Sequence, residues 1–444
     1  MNSLAQKPNH ILVIGLLLVI FLSNITLSDS QQKKQVTLNA ILEDQGDPER
    51  WNSLLQRSMQ ELNAKHPDLD IHINYTTYPY NETRDQLLKA MSDNIPVDLI
   101  TVDQIWLGEF AEKGLLADLT NYTQTWDRSS DWYEINWDGG AYNDRIYGIW
   151  AWADARGMWY WKDLIQKAGV DPESLRTWDG YIASAKKLNE VLRPQGIEGV
   201  HLVAASHSPD MSFYPYLWML GGAIVESRPG HPTQDHYWFP SYNSTEGVKA
   251  LEFIKDQIEA GIKPQKEHFW GKEFLDRKFA VMLEALQHHI PPPHTPENKK
   301  DFEQKVGFMP LFPMPYENHT SATLMGGWLL SIPESSEHKD LAWELITTIL
   351  EPKILAPYLA AHANLPTQIP IGEGNYSTTA NATIPYYEQL ISMIEIAHTR
   401  PSIPEYPEIS DHIKQAIDEV MYGIKEPKQA LDEAAAKSAK VLGW

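Results

Sequence analysis

The sequence predicts an α/β fold with at least two domains. Stretches with strand and helix patterns alternate from Val36 to about residue 119, and the alternation resumes beyond a tryptophan-rich run at residues 148–161. This order is typical of a parallel sheet covered by helices. The chain has 444 residues, more than one hydrophobic core usually supports, so a second domain is expected.

The first predicted domain opens with a strand whose apolar residues alternate from Val36 to Leu42. A helix should follow, with Asp47 as its N-cap and Pro48 at its first position. The next predicted elements are a strand in DIHINYTTY, a helix in NETRDQLLKAMSDN, a short buried strand in DLITVD and a helix in QIWLGEFAEKGLLADL. In sheets of this kind, ligands bind beyond the carboxyl ends of the strands, so the residues after each strand are candidate ligand contacts.

The run GIWAWADARGMWYW, residues 148–161, predicts a strand with two unlike faces. With a period of two, one face carries Trp150, Trp152, Asp154 and Arg156, and the other carries Ile149, Ala151, Ala153 and Ala155. An unpaired buried charge is costly, so a strand packed only in a core would not place Asp and Arg among indoles. We therefore expect the aromatic and charged face to meet a ligand.

Helices and one further strand are predicted beyond this run. Helices are expected in WKDLIQKAG, in TWDGYIASAKKLNEVL with Thr177 as its N-cap, in SFYPYLWMLGGAIVE ended by Gly221 and Gly222, and in NSTEGVKALEFIKDQIEAG. GKEFLDRKFAVMLEAL should change from helix to strand, and HHIPPPHTPENKKD should be a proline-rich loop. The chain after GGWLLSIP should be mostly helical.

Composition and motifs narrow the possible functions. The formal charge of −22 argues against nucleic acid or an anionic membrane as the main partner. The absence of cysteine excludes disulfides, thiolate metal sites and a cysteine nucleophile. No glycine-rich phosphate loop, H-E-x-x-H or G-x-S-x-G motif occurs, and no cofactor or metal is expected. His288, His289 and His294 flank prolines, but their loose spacing does not favour a metal site.

The N-terminus predicts export. Residues 1–35 contain the apolar stretch ILVIGLLLVIFL, which suits a signal peptide or, if retained, a membrane anchor. N-x-S/T sequons begin at Asn24, Asn74, Asn81, Asn121, Asn243, Asn318, Asn375 and Asn381. We expect a glycosylated protein at the cell surface or in the periplasm, which touches the membrane only through its N-terminal segment.

Candidate ligand-binding residues follow the predicted strands. Carboxylates come after the first strand (Glu43, Asp44 and Asp47), after DLITVD (Asp103) and within the tryptophan run (Asp154). A helix cap is the alternative role of Asp47 and Asp103. Carboxylates accept hydrogen bonds from hydroxyls and indole faces take C–H surface, a combination suited to carbohydrate. A glycosidase would need an acid–base pair of carboxylates, and no such pair stands out in the sequence.

Several segments, taken in order, resemble one known family. They are VDLITVDQIWLGEFAEKGLLADLT, RIYGIWAWADARGMWYWKDLIQKAGV, RTWDGYIASAKKL, GGAIVE, VGFMPLFP, LMGGWLLSIPESSEHKDLAWELI, NLPTQ and RPSIPEYPEISDHI. Together, from about Val36 to the C-terminus, they resemble extracellular solute-binding proteins of ABC sugar importers, most of all the trehalose- and maltose-binding branch. The resemblance implies a two-lobed periplasmic-binding-protein fold of the class II kind, with a carbohydrate in the cleft between the lobes. It also implies a monomer without catalysis that delivers its ligand to ABC permease subunits.

The resemblance also implies lobe boundaries and ligand contacts. One lobe would comprise residues 36–148 with about 284–328, and the other residues 149–283 with about 329–444. The implied contacts are Asp47, Asp103 with Trp106, Asp154 with Trp152, and the motif of Gly326, Gly327 and Trp328.

Two positions depart from the branch: Leu286 stands where it has a stacking tryptophan, and Gln368 where it has an arginine that grips the sugar. A glutamine keeps hydrogen bonding to the ligand but loses the charged fork. Trp270, Trp218 and the histidines are candidates to compensate, although Trp218 fits a helix core better.

Two other functions stay open at this point, because a fold does not decide a function. One is a surface glycosidase or transglycosidase, which turnover of the sugar would reveal. The other is a sugar sensor or adhesin that has lost its transporter, which the absence of neighbouring permease genes would favour.

Overall fold

The computed structural model describes residues 33–93, 95–203, 209–229, 236–265 and 271–444. The strands are β1 (Lys34–Glu43), β2 (Leu69–Tyr78), β3 (Leu99–Asp103), β4 (Ala141–Tyr142), β5 (Arg145–Ile146), β6 (Ile149–Ala155), β7 (Gly157–Trp161), β8 (Glu198–Val200), β9 (Leu202–Val203), β10 (Val225–Pro229), β11 (His236–Pro240), β12 (Pro264–Gln265), β13 (Phe279–Glu284), β14 (Val306–Met309), β15 (Thr323–Ser331) and β16 (Ala397–His398). The N-terminal apolar segment, the Asn24 sequon and Trp270 lie outside the described residues.

Helices make up most of the remaining structure. They are α1 (Asn52–Lys65), α2 (Tyr80–Ser92), α3 (Leu107–Glu112), α4 (Thr120–Gln124), α5 (Glu134–Gly139), α6 (Lys162–Lys167), α7 (Trp178–Leu192), α8 (Pro209–Ser212), α9 (Tyr214–Met219), α10 (Thr245–Glu259), α11 (Lys272–Leu275), α12 (Pro296–Lys305), α13 (Lys339–Ile349), α14 (Pro352–His362), α15 (Ile369–Gly372), α16 (Thr378–Thr383), α17 (Tyr387–Ser392), α18 (Tyr406–Met421) and α19 (Pro427–Val441). Short 3-10 helices lie at Gln104–Trp106, Ser129–Asp131, Pro172–Arg176, Arg193–Gln195, Leu286–His289 and Met393–Ile396.

The first sheet has six strands, in the order β16-β15-β3-β1-β2, with β6 also paired to β15. β1 runs parallel to β2 and β3, whereas β15 runs antiparallel to β3 and β6. The predicted alternation in β1 is confirmed, because Leu38, Ala40 and Leu42 point into the core between more exposed residues. The carboxyl ends of β1, β2 and β3 therefore lie at one edge of this sheet.

The second sheet has four strands, in the order β14-β7-β13-β8. The tryptophan-rich run is therefore not one strand, because β6 belongs to the first sheet and β7 to the second. Arg156 lies between these two strands, at the point where the chain passes from one sheet to the other.

Two hydrophobic cores form around the two sheets, and they define two lobes. Their membership differs from the boundaries expected at residues 148/149, 283/284 and 328/329. β6 lies in the first sheet, β14 lies in the second, and α13 and α14 pack against α1 in the first core. The chain thus crosses between lobes more often than expected, because β15 and β16 join the first sheet late in the sequence and α13 and α14 pack in its core.

Local features agree with most of the helix predictions. The Thr177 hydroxyl oxygen accepts a hydrogen bond from Gly180 N at 3.3 Å and caps α7, as predicted. Gly221, with φ of 85°, follows α9. The predicted cap at Asp47 is wrong: α1 begins at Asn52, and Asp47 Oδ1 instead accepts from Glu49 N at 3.0 Å in the preceding turn. In the ranges that the structure describes, no helix is long and apolar enough to span a membrane.

Candidate ligand-binding site

A cavity of about 760 Å³ lies between the two cores. Its volume is in the range of small-molecule sites. The first lobe contributes the loop after β1, the start of α2, the end of β3 and the end of β6, and the second lobe contributes α18. The wall between them is formed by the proline-rich loop and the segments around residues 326–328, 361–364 and 400. Lining residues that bear on its chemistry are Glu43, Asp44, Asp47, Arg50, Tyr80, Asp103, Trp152, Asp154, Arg156, His288, His289, His294, Trp328, His362, Asn364, Arg400, Ser410 and Lys414.

Most of the sequence-predicted contacts meet in this cavity. Residues that line it are Asp47, Asp103, Trp152, Asp154, Gly326, Gly327 and Trp328. Trp106 is one layer behind, with its ring centroid 5.6 Å from the rings of both Tyr80 and Trp328. Trp106 therefore supports the two aromatic side chains that line the cavity.

Asp103 lies at the end of β3 and has its side chain almost fully buried. Oδ2 accepts from the Tyr80 hydroxyl at 3.0 Å, Oδ1 accepts from Ile105 N at 3.3 Å, and Arg400 Nη2 lies 3.5 Å from Oδ1. Burial raises the pKa of Asp103 above its usual range, although the Arg400 guanidinium and the Ile105 hydrogen bond act in the opposite direction. Asp103 thus has both roles considered for it, because it caps the 3-10 turn and lines the cavity.

Asp154 lies near the end of β6 and faces the cavity together with Arg156. Arg156 Nη1 lies 2.6 Å from Asp154 Oδ1, and Gly326 N donates to the same oxygen at 3.3 Å. Burial alone would raise the pKa of Asp154, but the Arg156 charge and others nearby outweigh it and hold the pKa below its usual range. Asp154 is therefore a charged acceptor on the cavity wall at neutral pH.

Trp152 belongs to an aromatic group beneath the loop after β1. Its ring centroid lies 5.2 Å from Trp51 and 5.7 Å from Tyr358. The Arg50 guanidinium lies 5.5 Å from the Trp152 centroid and donates from Nε to the Tyr358 hydroxyl at 2.8 Å. This packing fixes the Trp152 indole at the cavity wall.

Trp150 does not line the cavity, although a period of two placed it on the same face as Trp152. The pairing of β6 with β15 shifts between Trp328 and Leu329, which leaves Ala151 as an extra residue. A bulge of this kind breaks the alternation of side chains. The expected common face is therefore limited to Trp152, Asp154 and Arg156.

Gln368 is not a cavity residue, which corrects the expectation placed on it. Its side chain is fully buried, Oε1 accepts from Arg128 Nη2 at 2.9 Å, and Nε2 donates to Leu350 O at 2.9 Å. Leu286 and Trp218 are core residues, and Trp218 stacks on His398 with centroids 5.1 Å apart. Neither of them lines the cavity, so Trp218 does not compensate for the departures at Leu286 and Gln368.

The NLPTQ motif reaches the cavity through its first residue rather than its last. When the Asn364 amide oxygen accepts from Arg50 Nη2 at 3.1 Å, the amide nitrogen donates to His288 Nδ1 at 3.0 Å and to His362 O at 3.3 Å. Burial lowers the pKa of His288 to about 4, so this ring is neutral at neutral pH. In this orientation of the Asn364 amide Nδ1 accepts, which assigns the ring hydrogen to Nε2. Asn364 thus connects the first-lobe Arg50 with the loop after β13.

Glu43 is a nearly fully buried carboxyl group at the end of β1. Oε1 accepts from Gln45 N at 2.7 Å, whereas Oε2 is buried and has no hydrogen-bond partner among the described residues. Burial raises the pKa of Glu43 to about 8, while the Gln45 hydrogen bond and the Arg50 charge act in the opposite direction. The cavity therefore contains one carboxyl group that is mostly protonated at neutral pH.

Sequence reasoning missed Arg50, Tyr80, His362 and Asn364. Tyr80 could have been found by the rule that identified Asp103, which was to examine residues at the carboxyl ends of strands. Tyr80 lies just after β2, and Asp103 ends β3 at the same edge of the sheet. His362 ends α14 and Asn364 follows that helix, so neither carried such a signal. Within the described ranges, no group of three or more histidine, aspartate or glutamate side chains is placed to hold a metal ion, although the three loop histidines do line the cavity.

Comparisons with known proteins agree with this architecture. The family model described as bacterial extracellular solute-binding protein matches residues 45–355. A binding protein of Brucella abortus (strain 2308) is 24% identical over 385 residues, which cover 84% of this chain and 86% of the relative. The arabinooligosaccharide-binding protein of Bacillus subtilis (strain 168) is 24% identical over 65% of this chain and 64% of its own length.

Among solved structures, the cyclic alpha-maltosyl-1,6-maltose binding protein from Arthrobacter globiformis superposes with a TM-score of 0.74 at 23% identity. The match covers 92% of this chain and 99% of that one, and it supports the two-lobed fold. With the family model matched over most of the chain, the protein belongs to the bacterial extracellular solute-binding proteins, which bind their ligands and do not transform them.

Proposed function

We propose that the chain binds a di- or oligosaccharide in the cleft between its lobes and delivers it to the permease of an ABC transporter. The observation that carries this proposal is the composition of the cleft. Charged acceptors such as Asp154 lie beside the rings of Tyr80, Trp152 and Trp328. Carboxylates suit hydroxyl groups and aromatic faces suit the C–H surface of a sugar ring.

The named ligands of relatives support a saccharide. The Bacillus subtilis relative is named for arabino-oligosaccharides, and the Arthrobacter globiformis structure for a cyclic maltosyl-maltose. A trehalose- or maltose-like ligand stays a prediction for this chain. The arginine that grips those sugars in the branch has no counterpart at Gln368, whose side chain is held by Arg128 and Leu350.

Ligand binding would close the lobes around the sugar. The Asp103–Arg400 pair joins the first sheet to the segment that enters the second core. A ligand that touches both sides of such a cleft stabilises the closed arrangement through its additional contacts. The closed form would then be the form presented to the permease.

Export and surface modification complete the proposal. Residues 1–35 would direct the chain out of the cytoplasm, and glycans would attach to exposed sequons such as Asn74, Asn121, Asn318 and Asn375. Asn243 and Asn381 are less suited, because their side-chain amides donate to Asp432 and Glu388, each at 2.9 Å.

A thermal-shift panel tests the binding function. The full chain is heated with mono- and oligosaccharides, polyols, amino acids and osmolytes, and a ligand that binds only the folded state raises the midpoint. We expect a di- or oligosaccharide to produce the largest shift and to be recovered chemically unchanged. A shift with an osmolyte alone would refute the saccharide, and hydrolysis of the sugar would favour the glycosidase alternative.

A further inference from the structure

The cavity contains a guanidinium that no carboxylate among the described residues contacts directly; Glu43 interacts with its charge only at longer range. Arg156 pairs with Asp154 at 2.6 Å and Arg400 with Asp103 at 3.5 Å. Lys414, the remaining cationic side chain on the cavity wall, pairs with Asp411 at 3.0 Å. Arg50 has no carboxylate within 4.0 Å among the described residues, although its side chain is more than nine-tenths buried.

The hydrogen-bond partners of Arg50 are neutral and occupy one edge of the guanidinium. Nε donates to the Tyr358 hydroxyl at 2.8 Å, and Nη2 donates to the Asn364 amide oxygen at 3.1 Å. These two nitrogens form the side edge of the fork. The end edge, formed by Nη1 and the second hydrogen of Nη2, has no partner in the described part of the chain. Two parallel donors of this kind match the two oxygens of a carboxylate.

The acidic residues of the same loop do not fill this position. Asp44 Oδ1 accepts from Gly46 N at 2.7 Å, and Asp47 Oδ1 accepts from Glu49 N at 3.0 Å. Burial raises the pKa of Glu43 to about 8, so near neutral pH this carboxyl group contributes little negative charge. Across the cavity, burial holds His288 neutral. A buried positive charge without a close counter-charge is costly, and a ligand can supply the missing anion.

We propose that the ligand is an acidic saccharide, and that a uronic acid carboxylate binds end-on to Arg50. This proposal rests on the proposed function, because it names the class of saccharide that the same cleft would take. The hydroxyls of the sugar would be bound by Asp103 and Asp154, and its ring faces by the aromatic side chains. Arg50 would then distinguish acidic saccharides from neutral ones of the same size.

Isothermal titration of the full chain tests the proposal. The ligands are uronic acid disaccharides, each paired with its own methyl ester, together with neutral maltose and trehalose. Esterification removes the negative charge and keeps the sugar ring. The difference in affinity within each pair therefore measures the contribution of the carboxylate charge. We expect at least one acid to bind about ten-fold or more tightly than its ester, the size typical of a hydrogen-bonded charge.

Variants assign the preference to Arg50. In Arg50→Gln the ratio between acid and ester should fall to within about two-fold, whereas Arg50→Lys should keep part of it because the charge remains. Arg57→Gln is the matched control: Arg57 lies on the exposed side of α1 and should leave the ratio unchanged. The comparison of acid with ester in the unmodified chain gives an answer even if Arg50→Gln does not fold.

The outcomes separate this proposal from the proposed function. If a neutral sugar or an ester binds as tightly as the best acid, the acidic ligand is refuted and the saccharide-binding function stands. If no saccharide binds in either form, both proposals fail. A preference for an acid that survives in folded Arg50→Gln would assign the carboxylate to another residue and overturn the role of Arg50.

Discussion

Asp103, at the end of β3, and Arg400, in the segment after β16, form an ion pair with 3.5 Å between Oδ1 and Nη2. The neighbouring Gln104 Nε2 donates to Arg400 O at 2.8 Å and to Ser402 Oγ at 2.6 Å. The chain enters the second core at Ile403, directly beyond these contacts. A cavity-lining carboxylate is thus connected to a segment where the chain crosses between the lobes. If the proposed saccharide binds Asp103, we expect this contact to favour closure of the lobes.

Replacement of Asp103 by Asn should weaken saccharide binding. The amide keeps one acceptor oxygen but loses its charge, so both the Arg400 pair and hydrogen bonds to sugar hydroxyls become weaker. We expect affinity to fall about ten-fold, measured by titration calorimetry. The exposed carboxylate of Asp127 provides the control, since Asp127→Asn should not alter binding. An unchanged affinity in Asp103→Asn would show that the sugar does not use this carboxylate.

Asp154→Ala should remove the thermal shift that the saccharide produces. The substitution deletes a charged acceptor on the cavity wall and leaves Arg156 without its partner at 2.6 Å. We expect affinity to fall by about ten- to a hundred-fold, typical of hydrogen bonds to a charged group. Asp138→Ala, at an exposed position in α5, is the control. A full ligand shift in Asp154→Ala would exclude Asp154 from the site.

Much of the fold was predictable, because strand and helix periods reflect local geometry. The strands β1, β2 and β3 and the cap at Thr177 follow from such patterns. The assignment of later elements to lobes was not predictable. The amphipathic sequence of a helix such as α13 indicates only that one of its faces is buried. Which sheet buries it depends on the path of β15, and that path is a tertiary property.

The candidate site was predictable where function follows the ends of strands. Asp103 and Asp154 were found in this way, and both line the cavity. Arg50 was missed because it lies beyond the loop after β1, where an arginine is usually a solvated side chain. Gln368 was wrongly assigned to the site because a motif match does not show how deeply a residue is buried. Of the residues in NLPTQ, Asn364, four positions earlier, is the one that lines the cavity.

Gln368→Ala should lower stability and leave ligand affinity almost unchanged. The side chain accepts from Arg128 and donates to Leu350 O, so its removal deletes two hydrogen bonds of a buried amide. Arg128 would keep Asp131 at 2.8 Å, and Leu350 O would keep only the longer contact of 3.5 Å from Arg128 Nη1. We expect the free energy of unfolding to fall by about 1–3 kcal/mol, measured by urea denaturation. Asn364→Ala is the informative contrast, because it should weaken binding as well. A large loss of affinity in Gln368→Ala, measured where the variant is fully folded, would show that Gln368 contributes to ligand binding after all.

Glu43→Gln should change how stability depends on pH. The pKa of Glu43 is raised by burial to about 8, so the folded state holds a proton that the unfolded chain releases above its ordinary carboxyl pKa. The contribution of Glu43 to stability is therefore complete at low pH and is lost progressively as pH rises from about 5 to about 8. An amide does not ionise, so Glu43→Gln should become more stable relative to the unmodified chain, by a few kcal/mol at most, over that interval. Urea denaturation at several pH values measures this difference, with Glu49→Gln, at an exposed position in the same loop, as the control. Parallel pH profiles of Glu43→Gln and the unmodified chain would show that Glu43 is already ionised in the folded protein.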